Sequence, residues 1–426
     1  MTIDRRTLLS SSTLALFASA LPWRLDARAP AAAPNLFVGT GGDGHTYPGP
    51  SLPFGMVQLG PDTDVERWAT CSGYHHGDGS IMGFSHTHLS GTGIGDMLDV
   101  LVVPTTGPVT LTPGPLDNPD AGYRQRYSNE IAEPGSYRVT LESGVHAELT
   151  MTDRTGWHRY SYPKGPGHVL IDLSHLILDT SDHAPLVDEA SLAIDTDGTI
   201  TGSRRVFRWA KGRRIHFALQ CSRRPDRVTF YGDGDAEQPA GTTHVSGKRL
   251  KMALHWNDAG AAPILLRCGI SGVDVAGARA NLAAEAPHWD FDRTLRAARQ
   301  RWAEALGVVQ VEGGSADQRT IMASALYHAQ LAPTLFSDVD GRYVGLDGQI
   351  HTVPPGGAAY STYSLWDTYR ALHPLLTLIA PARTKSLIDD LIRQTQQSPY
   401  GPLVWPLQGK ETGTMIGWHG VVPIAE

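Results

Sequence analysis

The chain has 426 residues and a net charge of −7, with 41% apolar and 19% charged residues. This length suits two or three domains, and the glycine (46) and proline (29) content points to many shaped turns. The lack of a basic stripe argues against a nucleic-acid partner, and no apolar run of about 20 residues beyond the first 34 argues for a membrane span.

Residues 1–34 read as an export signal and linker. A basic start, Arg5-Arg6, precedes Thr7-Leu8-Leu9 and an apolar stretch to about Ala20. The paired arginines favour the twin-arginine route over an ordinary secretory signal, so the expected location is periplasmic or secreted in a bacterium. Cleavage falls between about Leu21 and Asn35, and the Ala/Pro run 29–34 is the linker. Cys71, Cys221 and Cys268 are too few and too widely spaced for a zinc pattern or a disulfide framework, although one disulfide is allowed.

Residues 35–285 read as an antiparallel β-sandwich domain. Tyr137, Val139 and Leu141 alternate, as do Val145, Ala147, Leu149 and Met151, with Ser143-Gly144 at the turn between. Asp197-Gly198 marks a second hairpin, and 214–221, 227–232, 250–256 and 263–270 continue the period of two. The glycine- and proline-rich stretch 41–135 gives no clear elements. The period then changes. Phe291, Leu295, Ala298, Trp302 and Leu306 recur at helical spacing, which makes 286–316 a helical linker. Ser315-x-x-Gln318 reads as a capping box ahead of Ile321, Ala325, Leu326 and Ala329. Further helices are expected from near Ser364 and over 386–397, with Leu387, Ile388, Leu391 and Ile392 on one face. Residues 317–426 hold only about four helices, so they read as an incomplete helical domain whose partner segment lies elsewhere.

Four stretches combine tight glycines with polar and aromatic side chains: 39–63 (GTGGDGHTYPGPSLPFGMVQLGPDT), 71–96 (ending GFSHTHLSGTGIGD), 360–374 (YSTYSLWDTYRALHP) and 403–420 (LVWPLQGKETGTMIGWHG). Aromatic faces beside carboxylates, imidazoles and hydroxyls suit a sugar ring, which offers an apolar face and a rim of hydroxyls. His86 and His88, two apart in an extended run, share a face. They either donate to backbone or substrate oxygens or form half of a metal site that lacks a third ligand. Asp367 follows Trp366 in a helical pattern, with Arg370 three residues on. It either pairs with Arg370 or grips adjacent sugar hydroxyls over the Trp366 platform. Glu411 sits among apolar neighbours, where a partly desolvated carboxyl suits a general acid; it equally suits the first turn of a helix.

Taken in order, these stretches resemble glycoside hydrolase family 92, the calcium-dependent exo-acting α-mannosidases, from about Asn35 to Glu426. The resemblance implies an N-terminal β-sandwich, linker helices and the first part of an (α/α)6 toroid. It implies hydrolysis of terminal α-linked mannose, α-1,2 by default, on an oligosaccharide or glycoprotein N-glycan. It also implies inversion, with acid and base about 6.5–9.5 Å apart, and Ca2+ gripping the mannose hydroxyls through oxygen ligands. By motif match Glu411 is the general acid. Trp366, Asp367, Gly73 and the loop of His86 and His88 belong to the mannose pocket; the metal ligands are unknown.

Two positions depart from the family pattern. Lys410 stands where an Asn precedes the acid, and Asp64 stands where an Arg follows Pro-Asp-Thr, with Arg67 as its nearby substitute. The family's base, an aspartate in an Asn-Asp-Asp motif, has no match here. The expectation is therefore a C-terminally truncated chain that is inactive or unstable alone. Alternatives are a non-catalytic mannose- or glycan-binding protein and a glycan phosphorylase on a similar plan.

Overall fold

The protein is described by a computed structural model over residues 32–178 and 186–425. The export signal expected over 1–34 therefore falls, except for residues 32–34, outside the described residues.

Two antiparallel sheets form the N-terminal part. In spatial order the smaller holds Gly60–Asp62, Gly83–Ser85, Leu101–Thr105, Gly167–Asp172, Lys251–Trp256 and Arg227–Tyr231. The larger holds His244–Gly247, Val187–Ile194, Ile200–Val206, Arg213–Cys221, Ile264–Ser271, Thr155–Ser161, His146–Met151, Ser136–Leu141, Gln125–Glu133 and Ser80–Ile81. Alternation decides which side chains meet. Val102, Val169, Ile171, Met252 and Leu254 of the smaller sheet share one core with Val139, Leu149, Phe217 and Leu219 of the larger. Their neighbours Leu101, Val103, Leu170 and Ala253 point the other way, into a second apolar cluster on the outer face.

The outer face of the larger sheet is covered by helices. Strand residues Trp157 and Ala218 pack with Ala278, Leu282 and Phe291. The first two of these covering residues come from helix α1 (Val275–Glu285), which occupies part of the stretch expected to be strand-rich up to 285. Its sequence, VAGARANLAAE, carries small residues rather than a long apolar repeat, so periodicity did not show it. Close approach explains the small residues: a side chain at Gly269 would meet the Ala278 carbonyl oxygen at 2.5 Å. Helix α2 (Phe291–Gly307) buries Phe291, Ala298, Trp302 and Leu306, as their spacing predicts. Asp290 caps it by accepting from the Arg293 N–H at 2.8 Å.

Helix α3 (Ala316–His328) opens with the expected capping box, both of its hydrogen bonds present. Its buried face is Ser324, Leu326 and Tyr327, while Ile321 is exposed. Then follow α4 (Leu365–Thr368), α5 (Leu372–Ile379), α6 (Pro381–Gln397) and α7 (Val421–Ala425). The buried face of α6 is Thr384, Leu387, Asp390, Leu391 and Gln394; Ile392 is exposed because Asp390 and Gln394 turn inward to bond Tyr360 and Tyr363. The order of a β-sandwich followed by part of a helical domain is the one expected from the sequence.

Polar contacts lock the two parts together. The Trp302 indole donates to the Ser51 carbonyl at 2.6 Å. Buried Asp338 accepts from Ser271 Oγ at 2.6 Å and Asn281 Nδ2 at 2.7 Å, tying the last long strand and α1 to the helical part.

Candidate functional site

At one end of the sandwich a buried ionic network shapes the loops. Asp96, Asp99, Arg204 and Arg213 have side chains that are at most 1% exposed. Asp99 accepts from Arg204 Nε at 2.7 Å, Arg213 Nη1 at 2.8 Å and Thr87 Oγ1 at 2.7 Å. Burial would raise its pKa, but Arg213 and Arg204 hold it well below the usual carboxylate range. Asp96 accepts from Arg213 Nε and the Ala210 N–H, both at 2.8 Å. Arg204 also donates to the carbonyls of Met97 and Leu98 at 3.1 Å. Met97, Leu98 and Val100 all have positive φ (75°, 56° and 59°), a conformation that persists only where surroundings over-determine it. The network thus fixes both the end of the 83–96 run and the 207–212 turn that carries Trp209.

Trp209 reaches the helical part. Its ring lies 4.3 Å from Trp405, and its Nε1 donates to Thr414 Oγ1 at 2.6 Å. Leu89, Met97, Ala210, Trp405 and Leu407 form one buried cluster around this contact. Trp405 and Thr414 flank a short hairpin in which Pro406–Leu407 pairs with Lys410–Glu411. The two turn residues, Gln408 and Gly409, have φ of 51° and 71°, the left-handed pair that two-residue hairpins require.

Glu411 is half-buried at the end of that hairpin. Its Oε1 accepts from the Trp405 and Gly413 N–H groups at 2.8 and 2.9 Å, and Oε2 accepts from the Val404 N–H at 3.0 Å. Backbone amides, rather than the apolar side chains suggested by its sequence neighbours, therefore surround the carboxyl, because the loop curls round it. Oε2 keeps one acceptor site open. Trp405 Nε1 donates to Ser364 Oγ at 2.9 Å, and Ser364 Oγ donates to Asp367 Oδ2. Asp367 is exposed and Trp366 half-buried. Arg370 lies 5.3 Å over the Trp366 ring and 4.9 Å over Tyr369. The structure thus links Glu411 and Asp367 through Trp405 and Ser364, while Trp366 contacts Arg370 beside them.

Gly73, His86 and His88 lie elsewhere, inside the β-domain. The expectation that the two imidazoles face a sugar meets a steric obstacle, since both are at most 2% exposed. His86 Nδ1 donates to the Val100 carbonyl at 2.9 Å and its Nε2 meets His158 Nε2 at 3.1 Å. Burial lowers its pKa to about 4, so it stays neutral. His88 Nδ1 donates to the Gln58 carbonyl at 2.8 Å, and its Nε2 meets Asp62 Oδ1 at 2.8 Å. The other oxygen of Asp62 meets His175 Nε2 at 2.8 Å. Gly73 backs this chain with φ of 82°; a side chain there would meet Asp62 Oδ1 at 2.3 Å.

What the β-domain loops do expose was not singled out from the sequence. Trp68 is 59% exposed, anchored by its Nε1 donating to the Gly93 carbonyl at 2.7 Å. The His45 ring lies edge-on to it at 4.4 Å, with a buried Nε2 that has no hydrogen-bond partner. The Gly91 N–H donates to the His45 carbonyl at 2.7 Å, and Thr46 Oγ1 bonds Ser90 Oγ at 2.7 Å, so the first two glycine-rich stretches converge here. Arg67, the expected substitute for a sugar-binding arginine, is engaged by Asp64 at 2.7 Å and Asp78 at 2.5 Å. Trp209 and Trp68 sit in turns without periodicity, which leaves an isolated tryptophan as the sole sequence signal.

Among the described residues no group of three or more His, Cys, Asp or Glu side chains is placed to hold a metal ion. Glu411 and Asp367 therefore stand without a third carboxylate that would complete a Ca2+ cluster among the described residues, and no step is routed through the ion. Among the same residues no helix is long and apolar enough to cross a membrane.

Residues 35–271 match the model of the glycosyl hydrolase family 92 N-terminal domain, and residues 277–426 that of the family's catalytic domain. The family GH92 α-mannosidase BT3965 from Bacteroides thetaiotaomicron is 34% identical, with a TM-score of 0.85 over 91% of this chain and 53% of its own. It is also known in complex with mannoimidazole. The family GH92 inverting mannosidase BT2199 from the same organism shares the fold at 24% identity, with a TM-score of 0.76 over 93% of this chain and 51% of its own. An uncharacterized secreted glycosidase from Arthroderma benhamiae is 26% identical over 438 residues, which span 90% of this chain and 54% of the relative. The chain spans about half the length of these relatives.

Proposed function

The chain belongs to glycosyl hydrolase family 92, and from that premise we propose that it supplies the acid side of a site hydrolysing terminal α-linked mannose, by default α-1,2-linked. One observation carries the reading. Glu411 is held by three backbone N–H groups at the end of a hairpin whose flanking Trp405 packs directly on the β-domain's Trp209. Such a mount fixes the direction in which the carboxyl points. In this reading Glu411 gives its proton to the leaving glycosidic oxygen, a role the family resemblance assigns to it. Trp366 offers a ring face to the sugar, and exposed Asp367 accepts from adjacent hydroxyls.

An inverting reaction needs a second carboxylate about 6.5–9.5 Å from the acid, leaving room for water. Asp367 serves as acceptor for Ser364 and is assigned to binding, and no base is assigned among the described residues. Calcium, when bound in the family, polarises and orients the mannose hydroxyls; here its donors would come from outside the described residues. The substrate is a mannose-containing oligosaccharide or glycoprotein glycan, a reading supported by the mannoimidazole complex of the 34% identical relative. Export to the periplasm or beyond is supported by the Arg5-Arg6 leader and by the relative described as secreted.

The test is Glu411→Gln, made wherever mannose release is measurable, in this chain or in a polypeptide of the relatives' length. Release from an α-1,2-mannobiose should fall by about 10²–10⁴-fold, while an aryl mannoside with a good leaving group is affected less. Equal loss on both substrates, or none on either, refutes the assignment. Mannose release by this chain alone at the rate of the longer polypeptide would refute the expectation of a missing base.

A further inference from the structure

We infer that the far end of the sandwich carries a second ligand site, for an anionic sugar bearing a phosphate or carboxylate. A cleft of about 560 Å3 opens there, lined by Gln220, Arg224, Arg227, Arg267 and Trp289 among others. A cleft of this size is within the range of small-ligand sites. It is remote from Glu411. The strand Arg213–Cys221 starts beside the Trp209 turn and ends in the cleft, and its eight steps of about 3.3 Å separate the two by about 26 Å.

Charge balance points to the ligand. Many arginines in this protein face carboxylates, but three guanidiniums in this cleft do not. Arg267 donates to Gln220 Oε1 at 2.7 Å and to the Ala286 and His288 carbonyls, all neutral groups. Arg227 donates to Thr229 Oγ1 at 3.1 Å and lies 3.3 Å from His255, whose pKa burial lowers. Arg224 is exposed and, among the described residues, has no ion pair. Of the two carboxylates in the lining one is paired with a cation and one keeps its charge, so three guanidiniums stand against a single uncompensated carboxylate. Asp197 accepts from Thr199 at 2.9 Å and faces Arg279 at 3.5 Å, and Asp226 accepts from the Asn257 N–H at 2.7 Å.

Trp289 adds the second element. The Arg267 guanidinium lies 4.0 Å over its ring, which fixes the indole while 36% of the residue stays exposed. An indole offers a face to a pyranose, and guanidinium forks match phosphate and carboxylate oxygens. The two together select a sugar that carries an anion.

Calorimetric titration of the whole chain at low salt tests this, with mannose 6-phosphate, glucuronate, mannose and inorganic phosphate as probes. At least one anionic sugar should bind, more tightly than either mannose or phosphate, and mannoimidazole should not displace it. Which of the two binds identifies the anion. Arg224→Ala, a surface change that leaves packing intact, should weaken binding about ten-fold; Trp289→Phe should weaken it less, and added salt should weaken it further. Absence of binding by both anionic sugars overturns the inference. So does wild-type affinity in Arg224→Ala, or equally tight binding of mannose or of phosphate alone.

Discussion

Asp99→Asn tests whether the buried ionic network, rather than apolar packing, sets the shape of the loops at the candidate site. Two aspartates and two arginines balance there out of contact with water. The substitution keeps volume and leaves Arg204 and Arg213 facing Asp96 alone, one buried positive charge in excess. Breaking a buried pair in this way costs about 3–5 kcal/mol. The loop also loses what opposes the strain of Met97, Leu98 and Val100, at roughly 1–3 kcal/mol per strained residue, so part of that cost appears as local loosening. Guanidinium unfolding followed by tryptophan fluorescence measures the total, and amide exchange over 96–100 and 207–212 measures the local part. Asp188→Asn is the control. Asp188 pairs with Arg205, the next residue on the strand and on its opposite, partly exposed face, where loss should cost under about 1 kcal/mol. If Asp99→Asn proves as mild as Asp188→Asn and exchange over 96–100 is unchanged, the network does not govern the loop.

Gly73→Ala forces a left-handed backbone and a 2.3 Å approach to Asp62 Oδ1; a loss of about 2–4 kcal/mol is expected in urea unfolding, and a loss below 1 kcal/mol would show that the loop can shift. His86 and His158 both have folded pKa values below 6.5 because burial disfavours the imidazolium. The unfolded chain therefore binds more protons as pH falls from 6.5 towards 4, and stability drops over that window by roughly 3 kcal/mol for His86 alone. Unfolding free energies measured between pH 7 and 4.5 check this, and a flat profile contradicts it. Trp209→Phe keeps a ring against Trp405 but loses the Thr414 hydrogen bond. It should weaken the hold on the Glu411 hairpin by about 1 kcal/mol, seen as roughly five-fold faster amide exchange over 411–414.

The sandwich was legible because its strands obey a local rule. Val139, Leu141, Ala147 and Leu149 alternate in the sequence and alternate in space, so the hairpin 136–151 could be placed from its own residues. The same holds for the caps: Ser315 and Gln318 bond each other's backbone three residues apart, and nothing distant is needed. Helix α1 was hidden because its signal is close approach to the sheet, visible only once Gly269 and Ala278 are neighbours. Within α3 and α6 the helical period was correct and Leu326, Leu387 and Leu391 are buried as expected, but Ile321 and Ile392 are not, since partners distant in sequence, such as Tyr360 for Gln394, chose the rest of the face.

The candidate site divides in the same way. Glu411, Trp366 and Asp367 could be picked out by residue type beside tight glycines, and the structure joins Glu411 to Asp367 through Trp405 and Ser364. His86 and His88 carry the same chemical promise in the sequence, yet their rings are spent on Val100, His158, Gln58 and Asp62 inside the β-domain. The order of residues determined the element types, the turns and the family to which this chain belongs, because those depend on near neighbours and motif order. Only the tertiary structure decided which polar groups face solvent and which satisfy one another. That choice depends on pairs separated by tens to hundreds of positions, such as Trp209 with Thr414, whose meeting no local pattern records.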